Sequence, residues 1–512
     1  MSASKIIDYG GAARYAAFST GSVDFIEEHG LFSEAQQEAA DKLLSLLDSI
    51  DLIRVVFGDP HGLVRSKTLT PAAFRTVMRN GMDMSPGPFV FDTGHAVAID
   101  FFADGGGIGL PELTGAGDFV VVPDARTFRI LQRGETRVGW VIGDEYLRSG
   151  KPHPLSSRAV LRRLTDRLAD SGLDFVVGLE VEWYLTRYTS RDVGSVGGFG
   201  VQGSAPTVEA VNPGYQFNSD AYLDDLLPVI GPLARALEQA GLPLRTIEHE
   251  SGPGQLEFTF SPMSGLAAAD AILLLRGMTK QICADLGYHA SFMALPALDG
   301  FDASGWHLHQ SLFDVNAGGN IFAANEPDRL LSPLGEHYLA GLLAHAPAAT
   351  ALAVPTINGY RRLDDAFSLS PDRTSWAPEN RGALIRVLGS AGAASTHLEN
   401  RVGEPSANPY LYLAAQLAAG LDGIDRKLDP GEATQNPHDP MAGRLPTSLA
   451  DALAALEADP LYHTVLGEHL LTAFLALKRS EIQRYGEWVA NHEPVASNQA
   501  TEWEQREYFA HF

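Results

Sequence analysis

Cysteine is all but missing. Cys283 stands alone in the chain, which excludes an internal disulfide framework and a thiolate zinc site and fits a reducing compartment. Long apolar runs are missing as well: no stretch of about 18 apolar residues occurs. The opening MSASKIIDYGGAARYAAF lacks a basic segment leading into an apolar core. The expectation is a cytoplasmic protein without a membrane partner. Positive charge is scarce, with 38 Lys plus Arg against 63 Asp plus Glu and a formal charge of -25, so a nucleic-acid partner is repelled. Acid for solubility explains most of that excess; carboxylates gathered around cations are the other source, and only their positions can decide. No phosphate-cradling G-x-x-x-x-G-K-[ST] loop is present, so a bound nucleotide would have to be held by metals and arginines. No repeat of 20 to 50 residues is visible either.

What is there reads as an ordinary globular chain, 45% hydrophobic and 20% charged over 512 residues, long enough for a large catalytic domain and a smaller one. Apolar residues recur at three and four residue steps between 20 and 50, as an amphipathic helix requires. The period then changes. Asp51 to Val56 is β-branched and apolar, Asp59-Pro60-His61-Gly62 supplies a turn, and Leu63 to Leu69 resumes, which together signal a hairpin. We divide the chain into a helical extension (1–49), a small mixed domain with a sheet (50–149) and a catalytic domain (150–512). In the last, strands at 179–186, 246–260, 306–312 and 396–402 alternate with helices at 222–240, 264–285 and 330–346. An antiparallel sheet with its polar face toward a cavity produces this texture. Residues 194–203 and 317–326 read as long loops, and the tail from 449 as helical.

The polar residues of those strands carry the chemistry. In Gly178-Leu179-Glu180-Val181-Glu182-Trp183 the two glutamates share one face. Paired carboxylates need something positive between them, although a plain solvent-facing strand would give the same octet. In His249-Glu250-Ser251-Gly252-Pro253-Gly254-Gln255-Leu256-Glu257 a GPG turn can fold the strand back and bring Glu250 and Glu257 to one ion. Trp306-His307-Leu308-His309-Gln310-Ser311 puts His307, His309 and Ser311 on one face, and Glu399-Asn400-Arg401 repeats the spacing. Oxygen-rich sites with an occasional imidazole suit Mg²⁺ or Mn²⁺. The cationic segments Tyr360-Arg361-Arg362, Asn380-Arg381 and Arg386 complete the pattern, because cations and arginines are the two halves of a phosphoryl-transfer site.

These motifs in this order, joined by Asn408-Pro409-Tyr410-Leu411, resemble the glutamine synthetase family over residues 50 to 510. The resemblance implies an α+β fold: a small N-terminal β-grasp domain and a large catalytic domain with a curved antiparallel sheet flanked by helices. It also implies homo-oligomeric stacked hexameric rings, a dodecamer, with each site shared between neighbours. One metal would be held by Glu182, Glu250 and Glu257, and a second by Glu180, His307 and Glu399. His309, Ser311 and Arg386 would face ATP, and Arg381 and Arg401 the transferring phosphoryl group. Arg362, with Ser304 and Gly305 beside it, would bind glutamate. Asp59 would reach a neighbour's amine pocket.

Two departures matter. Family members that use ammonia carry a glutamate on a flap after the arginine motif, where this sequence has Ser368, and Asp302-Ala303-Ser304-Gly305 replaces an Asn-Gly-Ser-Gly. Both favour a relative that couples glutamate to a polyamine, an alkylamine or an aromatic amine. Ammonia-using glutamine synthetase and a non-catalytic ring or nitrogen sensor remain the alternatives.

Overall fold

The computed structural model describes residues 23–326, 329–363 and 369–512; the opening segment quoted above and Ser368 lie outside them. Two sheets organise the described residues. The first holds β1 (Leu52–Gly58), β2 (Val64–Leu69), β3 (Met82–Met84), β4 (Phe119–Pro123), β5 (Arg129–Arg133) and β6 (Thr136–Tyr146), in the order β2-β1-β6-β4-β3 with β5 beside β6. The expected hairpin is there: β1 and β2 pair antiparallel from Ile53 opposite Leu69 to Gly58 opposite Val64. β1 also pairs with β6, in parallel, and Ile53, Val55, Val56 and Phe57 are all buried, as in a strand covered on both faces.

The second sheet holds β7 (Leu173–Tyr188), β8 (Val208–Ala210), β9 (Leu244–His249), β10 (Gln255–Phe260), β11 (Met263–Ser264), β12 (Tyr288–Ser291), β13 (Trp306–Asp314), β14 (Gly319–Asn320), β15 (Trp376–Pro378), β16 (Ile385–Leu388) and β17 (His397–Asn400). Its main path is β15-β16-β17-β13-β7-β10-β9. Every pairing on it is antiparallel except that of β15 with β16, so the wholly antiparallel sheet expected from the sequence has one parallel edge. The GPG turn does fold the chain back between β9 and β10. Gly254 there has φ +73°, and a Cβ on it would lie 2.4 Å from the Leu185 carbonyl oxygen.

β7 separates the sheet's two faces. Side chains alternate along a strand, and Phe175, Val177, Leu179, Val181, Trp183 and Leu185 are all buried. They pack into one core with the helices Ser157–Asp170 and Gly265–Asp285. Glu180 and Glu182 are left on the opposite face.

Two polar devices join the small sheet to the rest. Asn408 caps the helix Pro409–Arg426, its Oδ1 accepting from the Tyr410 and Leu411 amides at 3.0 and 3.2 Å. Its Nδ2 donates to the Asp59 and Pro60 carbonyls at 2.9 and 3.2 Å. Gly62, at φ +79°, lies so close that a Cβ would come within 2.7 Å of Asn408 Cα. The second device is Arg158, whose buried guanidinium donates to Asp270 at 2.9 and 2.7 Å, to Asp124 at 3.3 Å and to Asp144. Asp270 also accepts from the Tyr410 hydroxyl at 2.8 Å.

Replacing Arg158 with alanine takes a cation from three buried carboxylates and leaves Asp270 without an ion pair among the described residues, so Arg158→Ala is expected to lower stability by about 3–5 kcal/mol. The shift of the urea midpoint measures it. Arg75→Ala, which removes an exposed pair with Asp48, serves as the control and should change stability by less than about 1 kcal/mol.

Candidate active site

Strand register builds the site. Glu257 on β10 stands directly opposite Glu182 on β7 and Glu248 on β9. Glu180 stands opposite His307 on β13. His309 stands opposite Glu399 on β17, and Glu399 opposite Arg386 on β16. Cross-strand partners share a face, so one polar face gathers ionisable side chains from six strands.

The contacts follow. His307 Nδ1 lies 2.6 Å from Glu180 Oε1 and 3.8 Å from Glu399 Oε1. His309 Nε2 lies 3.1 Å from Glu180 Oε2, and its Nδ1 lies 3.0 Å from His397 Nε2. Among the described residues, three sets of possible ligand atoms fall within 4.8 Å: Glu248, Glu250 and Glu257; Glu180, Glu257 and His307; and Glu180, His309 and Glu399. Glu257 and Glu180 are each shared between two sets, so the three form a continuous row.

The resemblance placed Glu182 with Glu250 and Glu257, and Glu182 stands directly opposite Glu257. Its Oε2 accepts from the Gly305 amide at 3.0 Å and from Gln255 Nε2 at 3.1 Å. Gln255 also donates to Ser304 Oγ at 2.9 Å, so Ser304 and Gly305 serve here to hold Glu182. Gly305 has no room for a side chain, since a Cβ would lie 2.9 Å from Arg362 Nη2. Glu248 also stands beside Glu250 and Glu257. The sequence reading missed it, although it stands on β9, two residues before Glu250. His397, two residues before Glu399, was missed in the same way.

The arginines divide. Arg386 donates to Glu399 at 3.2 Å and to Glu379 at 2.7 Å. Arg401 pairs with Glu399 through Nη1 and donates from Nε to the Arg381 carbonyl at 2.7 Å. Arg381 is exposed, and its charge acts on Glu250. Arg362 is buried, donating to the carbonyls of Arg401, Val402 and Gly403 at 2.5, 2.8 and 3.2 Å. Its guanidinium therefore positions the chain beside Glu399. The fully buried Asp59 carboxylate accepts from the His61 and Leu63 amides at 2.9 and 3.0 Å and from Arg65 Nε at 2.7 Å, which fixes the turn that carries it.

The electrostatics follow from crowding. Burial first, then Glu182, Glu248 and Glu180, pushes the Glu250 carboxyl up to about 8. Burial and then Glu180, Glu182, Glu250 and Glu248 push Glu257 up to about 10. Burial also raises Glu182. At Glu180 and Glu399 burial acts the same way but is outweighed, by His307 and His309 at the first and by His307, Arg401 and His309 at the second, so both sit below the usual range. The Glu248–Glu250–Glu257 end thus has carboxylates without enough positive charge. All-oxygen donors of this kind fit a hard divalent cation.

Beside the row lies a cavity of about 560 Å³, walled in part by Gly178, Glu180, Thr246, His309, Ser311, Arg386 and His397. That volume suits a small-molecule or nucleotide ligand. No described helix is long and apolar enough to cross a membrane.

The chain is similar to known proteins along most of its length. A family model of the glutamine synthetase catalytic domain matches residues 154–497. The chain is 42% identical over 498 residues to a γ-glutamylanilide synthase of an Acinetobacter species, covering 95% of this chain and 99% of that protein. It is 35% identical over 408 residues to the glutamine synthetase of Halobacterium salinarum, covering 77% and 84% of the two chains. A solved GmaS/ADP complex, conformation 1, superposes with a TM-score of 0.72 at 28% identity, over 91% of this chain and 98% of that one.

The raised carboxyls give a pH dependence of definite sign. Folded, cation-free protein keeps protons on Glu250 and Glu257 that the unfolded chain, with its ordinary value of 4.5, has released. Their contribution is present below the unfolded value and is lost as pH rises toward about 8 for Glu250 and 10 for Glu257. Chelator-treated protein should therefore melt at lower temperature at alkaline pH than at mildly acidic pH, and excess Mg²⁺ should suppress the drop. Glu257→Gln should flatten the profile of the chelated protein and weaken Mn²⁺ binding in calorimetry. A chelated protein that grows more stable toward alkaline pH would contradict the crowding.

Proposed function

The chain belongs to the glutamine synthetase family, and on that premise we propose that this ATP-dependent ligase couples glutamate to an aromatic amine, forming a γ-glutamylamide. The observation that carries the acceptor class is the 42% identity to γ-glutamylanilide synthase across nearly the full length of both chains. The serine at position 368, in place of a flap carboxylate, supports it from the chemistry. An ammonium ion must lose a proton before its nitrogen can attack, whereas an aryl amine is already neutral at physiological pH and needs no acid residue to take that proton.

Roles follow from position. Glu180, His307 and Glu399, and Glu250 and Glu257 with Glu182 beside them, would hold the divalent cations, Mg²⁺ or Mn²⁺. Such ions supply charge neutralisation for phosphoryl transfer. His309 and Ser311 line the cavity assigned to the nucleotide. Arg386 and Arg401, already paired with Glu399, and the exposed Arg381 direct positive charge to where a phosphoryl group would pass. Ser304 and Gly305 hold Glu182 on the glutamate side, and Arg362 shapes the adjoining backbone. In the first step a γ-carboxylate oxygen bonds to the terminal phosphorus and ADP leaves. In the second the amine nitrogen attacks the acyl carbon, phosphate leaves and the nitrogen sheds its proton. We assign residues 50–149 to a β-grasp domain and 150–512 to the catalytic domain, in a dodecamer of stacked hexameric rings.

Purified protein with ATP, glutamate and Mg²⁺ should release phosphate with aniline at a kcat/KM at least about tenfold above that with ammonia, equivalent to ~1.4 kcal/mol of discrimination, and mass spectrometry should find γ-glutamylanilide. Ser368→Glu should move the ratio toward ammonia. A wild-type preference for ammonia would sink the acceptor assignment and leave the ligase reading standing.

A further inference from the structure

We propose that His309 is itself a ligand of the cation held by Glu180 and Glu399, and that His397 is the positioning residue that sets its tautomer. The inference rests on the cation reading above and adds to it a second imidazole and an outer partner.

The geometry is a relay of four groups. His397 Nδ1 lies 2.5 Å from the Ser395 carbonyl oxygen. A carbonyl oxygen can only accept, so that nitrogen carries a proton. The other nitrogen of a neutral His397, Nε2, is then an acceptor, and it faces His309 Nδ1 at 3.0 Å. His309 therefore carries a proton on Nδ1 and aims Nε2 at Glu180 Oε2, 3.1 Å away. A lone pair and a carboxylate oxygen at that separation repel unless a positive charge, either a proton on Nε2 or a cation, lies between them. The ligand atoms of Glu180, His309 and Glu399 fall within 4.8 Å of one another, so a single cation can meet all three. A ligating imidazole characteristically donates its remaining N–H to an outer partner, which fixes ring orientation and tautomer. Here that partner is His397.

Strand spacing makes the relay rigid. His397 and Glu399 lie two residues apart on β17 and project to one face, while His309 stands opposite Glu399 in the pairing of β13 with β17. His307 is arranged differently, reaching the same carboxylates through Nδ1. The rival assignment is that His309 and His397 contact only a nucleotide phosphate, since both border the 560 Å³ cavity.

The test uses full-length, nucleotide-free protein with one equivalent of Mn²⁺. Pulsed EPR should show two directly coordinated imidazole nitrogens in the wild type and one in His309→Ala. His397→Ala should weaken Mn²⁺ binding about 10–100-fold, the usual effect of losing an outer partner. His397→Gln should stay within a few-fold of wild type, because its amide oxygen can accept from His309 and its NH₂ can donate to Ser395. Far-ultraviolet circular dichroism checks that each variant folds. Unchanged nitrogen coupling and Mn²⁺ affinity in His309→Ala, with only ATP binding weakened, would overturn the proposal in favour of the nucleotide contact. Failure of the wild type to bind Mn²⁺ at all would overturn the cation reading and this inference together.

Discussion

Six carboxylates on one face of a sheet repel one another, and that repulsion governs the rest of the structure. Two like charges about 4 Å apart at an effective dielectric near 20 cost about 4 kcal/mol, so ionising Glu180, Glu182, Glu248, Glu250, Glu257 and Glu399 together would strain a sheet that had nothing on its other side. The opposite face of β7 supplies the restraint. Val181 and Trp183, the neighbours of the two paired glutamates, are fully buried, and moving Glu182 outward would pull Trp183 from its stacking against Phe292 and its edge contact with Phe258. Apolar burial on one side holds electrostatic strain on the other, which is how a folded chain keeps a site ready for cations.

The compensation is graded along the row. At the Glu399 end two arginines and the imidazoles oppose the negative charge, and the carboxyl stays ionised. At the Glu257 end burial and crowding outweigh the exposed Arg381, which acts on Glu250, and both carboxyls are raised. This asymmetry separates a region already charge-balanced by the chain from one that depends on what it binds. A phosphoryl-transfer site uses both: fixed positive groups where phosphate oxygens pass, and open carboxylates where ions must be seated.

The strand spacings made much of this legible. Glu180 with Glu182, and His307 with His309, stand two residues apart, and that alone placed each pair on one face. Which residues meet across strands was not legible, because it depends on hydrogen-bond register that single-strand periodicity does not contain. The reading therefore left out Glu248, which the register sets opposite Glu257, and the hydrogen bonds that tie Glu182 to Gly305 and Gln255. Arg362 and Asp59 illustrate a different limit. Charge in a motif does not tell what holds it: Asp59 is buried against its own turn and Arg65, and Arg362 against the carbonyls of residues 401–403. The parallel pairing of β15 with β16 had no local signal at all.

Asn408 carries a consequence beyond the helix it starts. Its amide oxygen is committed to the first turn of Pro409–Arg426 and its amide nitrogen to the Asp59 and Pro60 carbonyls, so one side chain is a member of both sheets' surroundings. Separating the residues before 150 from the rest would strip that nitrogen of both acceptors and would also leave Arg158 facing Asp270 without Asp144 and Asp124. The texture change that marks a domain border in the amino-acid order is not a seam along which the molecule parts, and its two pieces are expected to melt as one cooperative unit.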